Sequence, residues 1–192
     1  MSNVTKPFSP DELSSFWAHE ATTYESQYRS ADIYPMQAIR NQYILNLIGD
    51  EPRDHADIGC GPAFTIIPLL RKGWKIRALD ISEEMLKRAR QNISAAGLEP
   101  AKVDFVVGNI EALPYGDAQF DSVICAGVIE YLKDDDKALK ELNRILKPGG
   151  TLVITVRNKL CLFRLWDALL PVRKGVRALL ARLGLFGGKA YL

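Results

Sequence analysis

The chain predicts an α/β fold with a doubly wound, mainly parallel sheet. Short apolar runs alternate with amphipathic helical patterns from residue 54 to 156. A glycine turn follows the first run, in Ala56-Asp57-Ile58-Gly59-Cys60-Gly61, and a carboxylate, Asp80, tips the second. Strand–helix alternation builds βαβ units whose right-handed crossovers give a parallel sheet, with ligands at the carboxyl ends of the strands.

Each element has a local reason. Ser9-Pro10-Asp11-Glu12 supplies an N-cap, a proline at N1 and a glutamate at N3, which starts a helix expected to run to about His19. Residues 24–34, with Tyr24, Tyr28 and Tyr34, read as an irregular cover, and 35–48 as a second helix ended by Gly49. Strands are expected near 54–58, 75–79, 103–107, 120–125 and 151–156, with helices at 64–72, 83–96 and 134–146. Ser82 caps the helix at 83, and two glutamates in its first turn suit the helix dipole. The same dipole accounts for Asp134-Asp135-Asp136 better than a metal site does. Lys147-Pro148-Gly149-Gly150 reads as a helix stop and turn. Residues 1–156 thus form one domain with a helical cover over 1–50. Residues 157–192 form a basic helical cap or tail, in which Val172, Val176, Leu179, Leu180 and Leu183 share one helical face.

Composition narrows the function. The net charge of +2 offers no general attraction for nucleic acid. The charge is uneven, however. Residues 157–192 hold eight Lys or Arg against one acid, a net of +7, which leaves −5 for the remainder. A basic amphipathic tail suggests contact with an anionic membrane surface, or simply a solvated cap. Three cysteines without a CxxC pair argue against a disulfide framework, and two histidines, His19 and His55, argue against zinc. The N-terminus has no apolar signal segment, and no apolar run is long enough to span a bilayer. The expectation is a cytoplasmic, reduced protein.

Asp57 and Asp80 carry the chemistry. A carboxylate inside an apolar strand end needs a partner. For Asp57 that partner is a cationic ligand group or the amides of the turn. Asp80 lies about 20 residues beyond the glycines, where a carboxylate can accept both ribose hydroxyls, or serve the N-terminus of the helix at 83. The spacing also fits a dinucleotide site of an NAD-dependent oxidoreductase, but Phe64 occupies the place of that fingerprint's third glycine.

Five blocks go further. Asp-Ile-Gly-Cys-Gly-Pro at 57–62, Leu-Asp-Ile-Ser-Glu-Glu-Met-Leu at 79–86, Gly-Asn-Ile-Glu-Ala-Leu-Pro at 108–114, Phe-Asp-Ser-Val-Ile-Cys at 120–125 and Leu-Lys-Pro-Gly-Gly-Thr-Leu at 146–152 occur in this order. The chain resembles the class I S-adenosylmethionine-dependent methyltransferases of Rossmann-like fold, over roughly residues 35–156. The resemblance implies S-adenosyl-L-methionine as cofactor. It implies that Asp57 and the backbone of Gly59, Cys60 and Gly61 hold the methionine end, and that Asp80 takes the ribose hydroxyls. Ile81 and Met85 would lie against the adenine, Asn109 would accept from its amino group, and Ile110 would offer a backbone contact. Ala126 would face the methionine part, and Tyr28 would join the cofactor side. Ala63 replaces a frequent glycine, which implies a wider turn. On the substrate side stand Tyr24, Glu130 and Tyr131. The family members that methylate nucleobase amino groups carry a proline pair and an aromatic after the fourth strand. Ala-Gly-Val-Ile-Glu-Tyr-Leu at 126–132 has neither, so a small-molecule acceptor is expected, with no catalytic residue assigned, and the basic tail favours a lipid, an isoprenoid or an anionic metabolite as that acceptor. The family's closing strand hairpin is not found, which leaves a truncated form or a non-catalytic cofactor-binding protein as alternatives. With strand five then at the edge, the tail or a second copy of the chain is expected to shield it.

Overall fold

A computed structural model describes the backbone of residues 8–29 and 35–156, and the side chains of 8–24 and 37–156. The expected tail, its membrane contact and the shielding of strand five by residues 157–192 lie outside the described residues, as does the side chain of Tyr28.

Five strands form one sheet: β1 (Asp54–Ile58), β2 (Lys75–Asp80), β3 (Val103–Val107), β4 (Phe120–Ala126) and β5 (Leu146–Thr155). All pairings are parallel, in the order β3-β2-β1-β4-β5. Helices α1 (Pro10–Arg29) and α2 (Pro35–Ile48) precede the sheet, and α3 (Ile66–Arg71), α4 (Glu83–Ala95) and α5 (Asp135–Ile145) connect its strands. The chain steps outward from β1 to β3, then returns to the other side of β1. The gap between β1 and β4 is therefore a topological switch point, where parallel sheets bind ligands.

The period-2 alternation of the strands sorts their side chains. Ala56 and Ile58 of β1 pack on Leu142 and Ile145 of α5, with Leu79, Phe120 and Val123. Ile76, Ala78 and Ile124 face α3 and α4, against Leu69, Leu86 and Ile93. His55 and Asp57 point away from the Ala56 face. His55 is buried, bonds the Ser122 hydroxyl through Nδ1 at 2.8 Å, and is pushed down to a pKa of about 4 by that burial. Arg144 of α5 binds Glu141, Asp117 and the carbonyls of Leu113 and Tyr115, and Glu141 accepts the Leu113 amide at 2.7 Å. That network holds the loop between β3 and β4 against α5.

Three local expectations are corrected. First, α1 does not stop near His19 but continues to Arg29, so 24–29 are helical rather than irregular. The capping box forms as expected, with the Ser9 amide on Glu12 at 2.8 Å. Packing then extends the helix. Leu13 and Ala21 are buried, Trp17 and Tyr24 meet edge-on two turns apart, and Arg88 of α4 donates to Thr22 at 2.7 Å. Second, β5 begins at Leu146, directly after α5. Residues 147–150 form a bulge inside the strand, since Phe120 pairs with Leu146 but Ser122 with Thr151. Third, Ala63 does not widen the glycine turn. It adopts the glycine-like φ of 68° and is wholly buried.

Among the described residues β5 is a sheet edge, beside α2. Ile39, Tyr43, Ile44 and Leu47 of α2 border a groove of about 330 Å³ with Val153, Ile154 and Thr155.

The glycine turn has a steric basis. Gly59 has φ 74°, and a Cβ there would lie 2.2 Å from Cγ2 of Val128. Gly73 has φ 79° and nothing within 4 Å of the same position. In chemical denaturation, Gly73→Ala is expected to lose about 1–2 kcal/mol from left-handed strain alone. Gly59→Ala is expected to lose about 2–5 kcal/mol, because the clash adds to the strain. Equal losses would mean that Val128 moves aside freely.

Candidate functional site

The carboxyl ends of β1, β2 and β4 converge on the turn 59–63. Gly59 and Cys60 both donate backbone N–H groups to the Leu79 carbonyl, at 2.7 and 3.1 Å. Asp80 then reaches across from β2. Its Oδ2 accepts from the Gly61 amide at 2.9 Å and its Oδ1 from the Ser82 amide at 2.9 Å. One side chain thus ties the glycine turn to the start of α4, where Ser82 caps by accepting from the Met85 amide. Asn92 of α4 adds a bond from Nδ2 to the Pro62 carbonyl at 3.1 Å. Asp57, at the end of β1, accepts from the Thr65 hydroxyl at 2.5 Å. Its partner is therefore that hydroxyl, and no turn amide.

Both carboxylates are buried, with 2% of Asp57 and 7% of Asp80 exposed. Burial raises each from the ordinary carboxylate value of 3.8 to about 6. The Thr65 bond and the nearby Arg40 pull Asp57 back down, while the charge of Asp80 pushes it up. For Asp80 the opposing influence is the set of amide donors at Ser82, Gly61 and Ile81. Two desolvated carboxylates of this kind favour a ligand that brings positive charge and hydrogen-bond donors.

Of the residues the sequence singled out, Tyr24, Asp57, Gly59, Cys60, Gly61 and Ala126 line one cleft. Arg40, Asn41, Pro62, Phe64 and Thr65 line it too, and were not anticipated. Arg40 had a signal, as the one charged residue in α2. Thr65 had none beyond its place after the turn. The cleft thus carries an acid, Asp57, and a guanidinium, Arg40, which together suit a zwitterionic amino-acid end. Tyr24 comes from α1 and is pushed up to about 12, chiefly by burial, so it stays a neutral phenol.

The other expected residues surround this cleft. The Ile81 carbonyl accepts from Ser14 of α1 at 3.1 Å, so α1 covers the end of β2. Met85 is buried at the start of α4. The Gly108 amide donates to the Asp80 carbonyl at 3.0 Å, which sets Asn109 beside the β2 end. Asn109 Oδ1 accepts from the Glu111 amide at 3.0 Å, an Asx turn that shapes the loop, and Ile110 is buried beneath it. Glu130 and Tyr131 lie on a 3₁₀ turn (Ile129–Tyr131) just past β4. Among the described residues no group of three or more His, Cys, Asp or Glu is placed to hold a metal ion, and no helix is long and apolar enough to cross a membrane.

An all-parallel sheet with acidic strand ends around a glycine turn, at a switch point, defines a nucleoside-binding protein of Rossmann-like fold. Comparison with known proteins specifies which kind. Residues 56–154 match the family described as "Methyltransferase domain", and the chain belongs to that family. It is 36% identical to ajmaline N-methyltransferase of Rauvolfia serpentina over 105 residues, 54% of this chain and 36% of that protein. It is 27% identical to a ubiquinone biosynthesis O-methyltransferase of Xylella fastidiosa over 157 residues, 81% of this chain and 63% of that one. The chain thus spans less than two thirds of the length of these curated relatives. Among solved structures, a SAM-dependent methyltransferase of Thermotoga maritima aligns with a TM-score of 0.57 and 27% identity, over 81% of this chain and 67% of that one. The cyclase SpnF shares the fold, with a TM-score of 0.69 at 19% identity over 77% of this chain and 60% of that one. The family implies S-adenosyl-L-methionine as cofactor. The residues present fit it: a carboxylate for an ammonium, a guanidinium for a carboxylate, and a backbone bared by glycine.

The raised carboxylates predict a pH signature. A folded pKa above the unfolded one stabilises the protein fully below 3.8, and that contribution is lost as pH rises through about 6. Ligand-free Asp57→Asn is therefore expected to be more stable than the parent by about 1–3 kcal/mol at pH 7.5, with the gap closing toward pH 4. Thermal denaturation across that range checks it. A constant gap would mean that Asp57 does not titrate near 6.

Proposed function

We propose that the protein transfers a methyl group from S-adenosyl-L-methionine to a small-molecule acceptor. The observation that carries this reading is the pair of buried carboxylates at neighbouring strand ends, Asp57 bonded to the Thr65 hydroxyl and Asp80 to the Gly61 amide, within a methyltransferase family sequence. The names of the relatives, N- and O-methyltransferases, support small-molecule methylation without deciding between nitrogen and oxygen.

Bound S-adenosylmethionine supplies a methyl already activated by its sulfonium. What remains for the protein is placement and exclusion of water. Asp57 takes the ammonium and Arg40 the carboxylate of the methionine end, with the turn amides at 59–61 alongside. Asp80 keeps two amides and accepts the ribose hydroxyls on its remaining lone pairs. Asn109 keeps the Glu111 amide and accepts from the adenine amino group in the same way, and the Ile110 backbone lies at the ring edge. Tyr24, Glu130 and Tyr131 form the acceptor side.

Titration calorimetry with S-adenosylhomocysteine tests the cofactor half of this reading. Asp80→Ala is expected to weaken binding by about 1–3 kcal/mol, and Asn109→Asp to preserve it, since either side chain offers the carbonyl oxygen. Unchanged affinity in Asp80→Ala would remove Asp80 from the site.

A further inference from the structure

After β4 the chain turns at Gly127, with φ 73°, into the 3₁₀ turn that carries Glu130. Oε2 of Glu130 is shut off from solvent and has no hydrogen-bond partner among the described residues. An orphaned carboxylate oxygen is costly, and a chain keeps one where something else supplies the donor. Its surroundings are specific. A Cβ on Gly127 would sit 3.4 Å from Arg40 Nη1 and 3.9 Å from Glu130 Oε1, so Glu130 stands across Gly127 from the cleft residue Arg40. The charge of Glu130 reaches both Tyr24 and Cys125. Beside it is an aromatic wall. Tyr131 and Trp17 meet edge-on at 5.3 Å, and Trp17 and Tyr24 do the same at 5.3 Å.

We infer that the acceptor is a small organic amine, methylated at nitrogen, with its nitrogen held by Glu130 against the wall of Trp17, Tyr24 and Tyr131. This rests on the methyl-transfer reading above. A carboxylate oxygen without a donor selects an N–H group, and aromatic faces beside it favour a cation. The chemistry points the same way. The bound ammonium first gives one proton to solvent, which frees the nitrogen lone pair; that pair then forms the new N–C bond as the S–C bond breaks, and the S–C electron pair stays on sulfur. The positive charge passes from sulfur to nitrogen, and the product ammonium then loses a proton to solvent. A carboxylate beside the nitrogen is more favourable after that shift than before it, so it lowers the barrier. An anionic oxygen acceptor would be repelled by Glu130.

The test is calorimetric. The full chain, loaded with S-adenosylhomocysteine, is titrated with matched pairs of amine and alcohol: phenethylamine and 2-phenylethanol, tryptamine and tryptophol, cyclohexylamine and cyclohexanol. At least one amine is expected to bind about tenfold or more tightly than its alcohol, the effect of one charge-assisted hydrogen bond. Glu130→Gln should abolish that preference while leaving S-adenosylhomocysteine affinity unchanged. With the same amine as acceptor, the variant should lose kcat as well as raise KM. If no pair shows an amine preference, or if the preference survives in Glu130→Gln, the assignment is overturned while the cofactor reading stands. Failure of S-adenosylhomocysteine to bind the parent chain overturns both.

Discussion

Two carboxylates, Asp57 and Asp80, lie buried at neighbouring strand ends with a glycine turn between them, and the rest of the site depends on that burial. An ionised carboxylate out of water is unfavourable unless paired. Here each has only partial compensation. Asp80 accepts two backbone amides and Asp57 one hydroxyl, yet both remain raised to about 6. The sheet sets this up. β1 and β2 run parallel in register, so Asp57 opposes Ala78 and Asp80 ends the next strand two residues on. The approaching cation, Arg40, comes from α2, which precedes the doubly wound sheet.

This explains how the elements divide their work. α3, α4 and α5 stabilise the sheet through buried apolar faces, such as Ala138, Leu142 and Ile145 of α5. The turn 59–63 is shaped by bonds from Leu79, Asp80 and Asn92, all of which belong to β2 or α4. α2 places Ile44 and Ile48 in the core cluster that α3 and α4 share, and α1 and α2 together cover the strand ends through Ser14, Tyr24 and Arg40. A binding site destabilised by its own charges is stabilised by the ligand that pairs them.

Much of this was legible in the sequence, for stated reasons. Strand and helix positions followed from periodicity, and Ser9, Ser82 and Gly49 marked true helix ends, because caps are local interactions. Asp57 and Asp80 stood out as charges within apolar strands. The misses were tertiary. The second half of α1 exists because it packs on α4, which no local pattern announces. The bulge at 147–150 looked like a turn because Pro and Gly serve both. Arg40 and Thr65 entered the site through folding, one from a helix far along the chain and one from the end of the glycine turn. The sequence also could not show that Asp80 binds Gly61 and Ser82, a role it holds with or without a ribose.

The most direct test of the central claim counts protons. If two buried carboxylates titrating near 6 are ionised by a bound ammonium group, binding must release protons. Calorimetry of S-adenosylhomocysteine binding at pH 6, in buffers of different ionisation enthalpy, measures that number. The expected result is about one proton released per ligand for the pair, since each carboxylate is about half protonated there, falling by about half in Asp57→Asn. Binding without proton release in the parent chain would show that the carboxylates are already ionised, and would contradict the account.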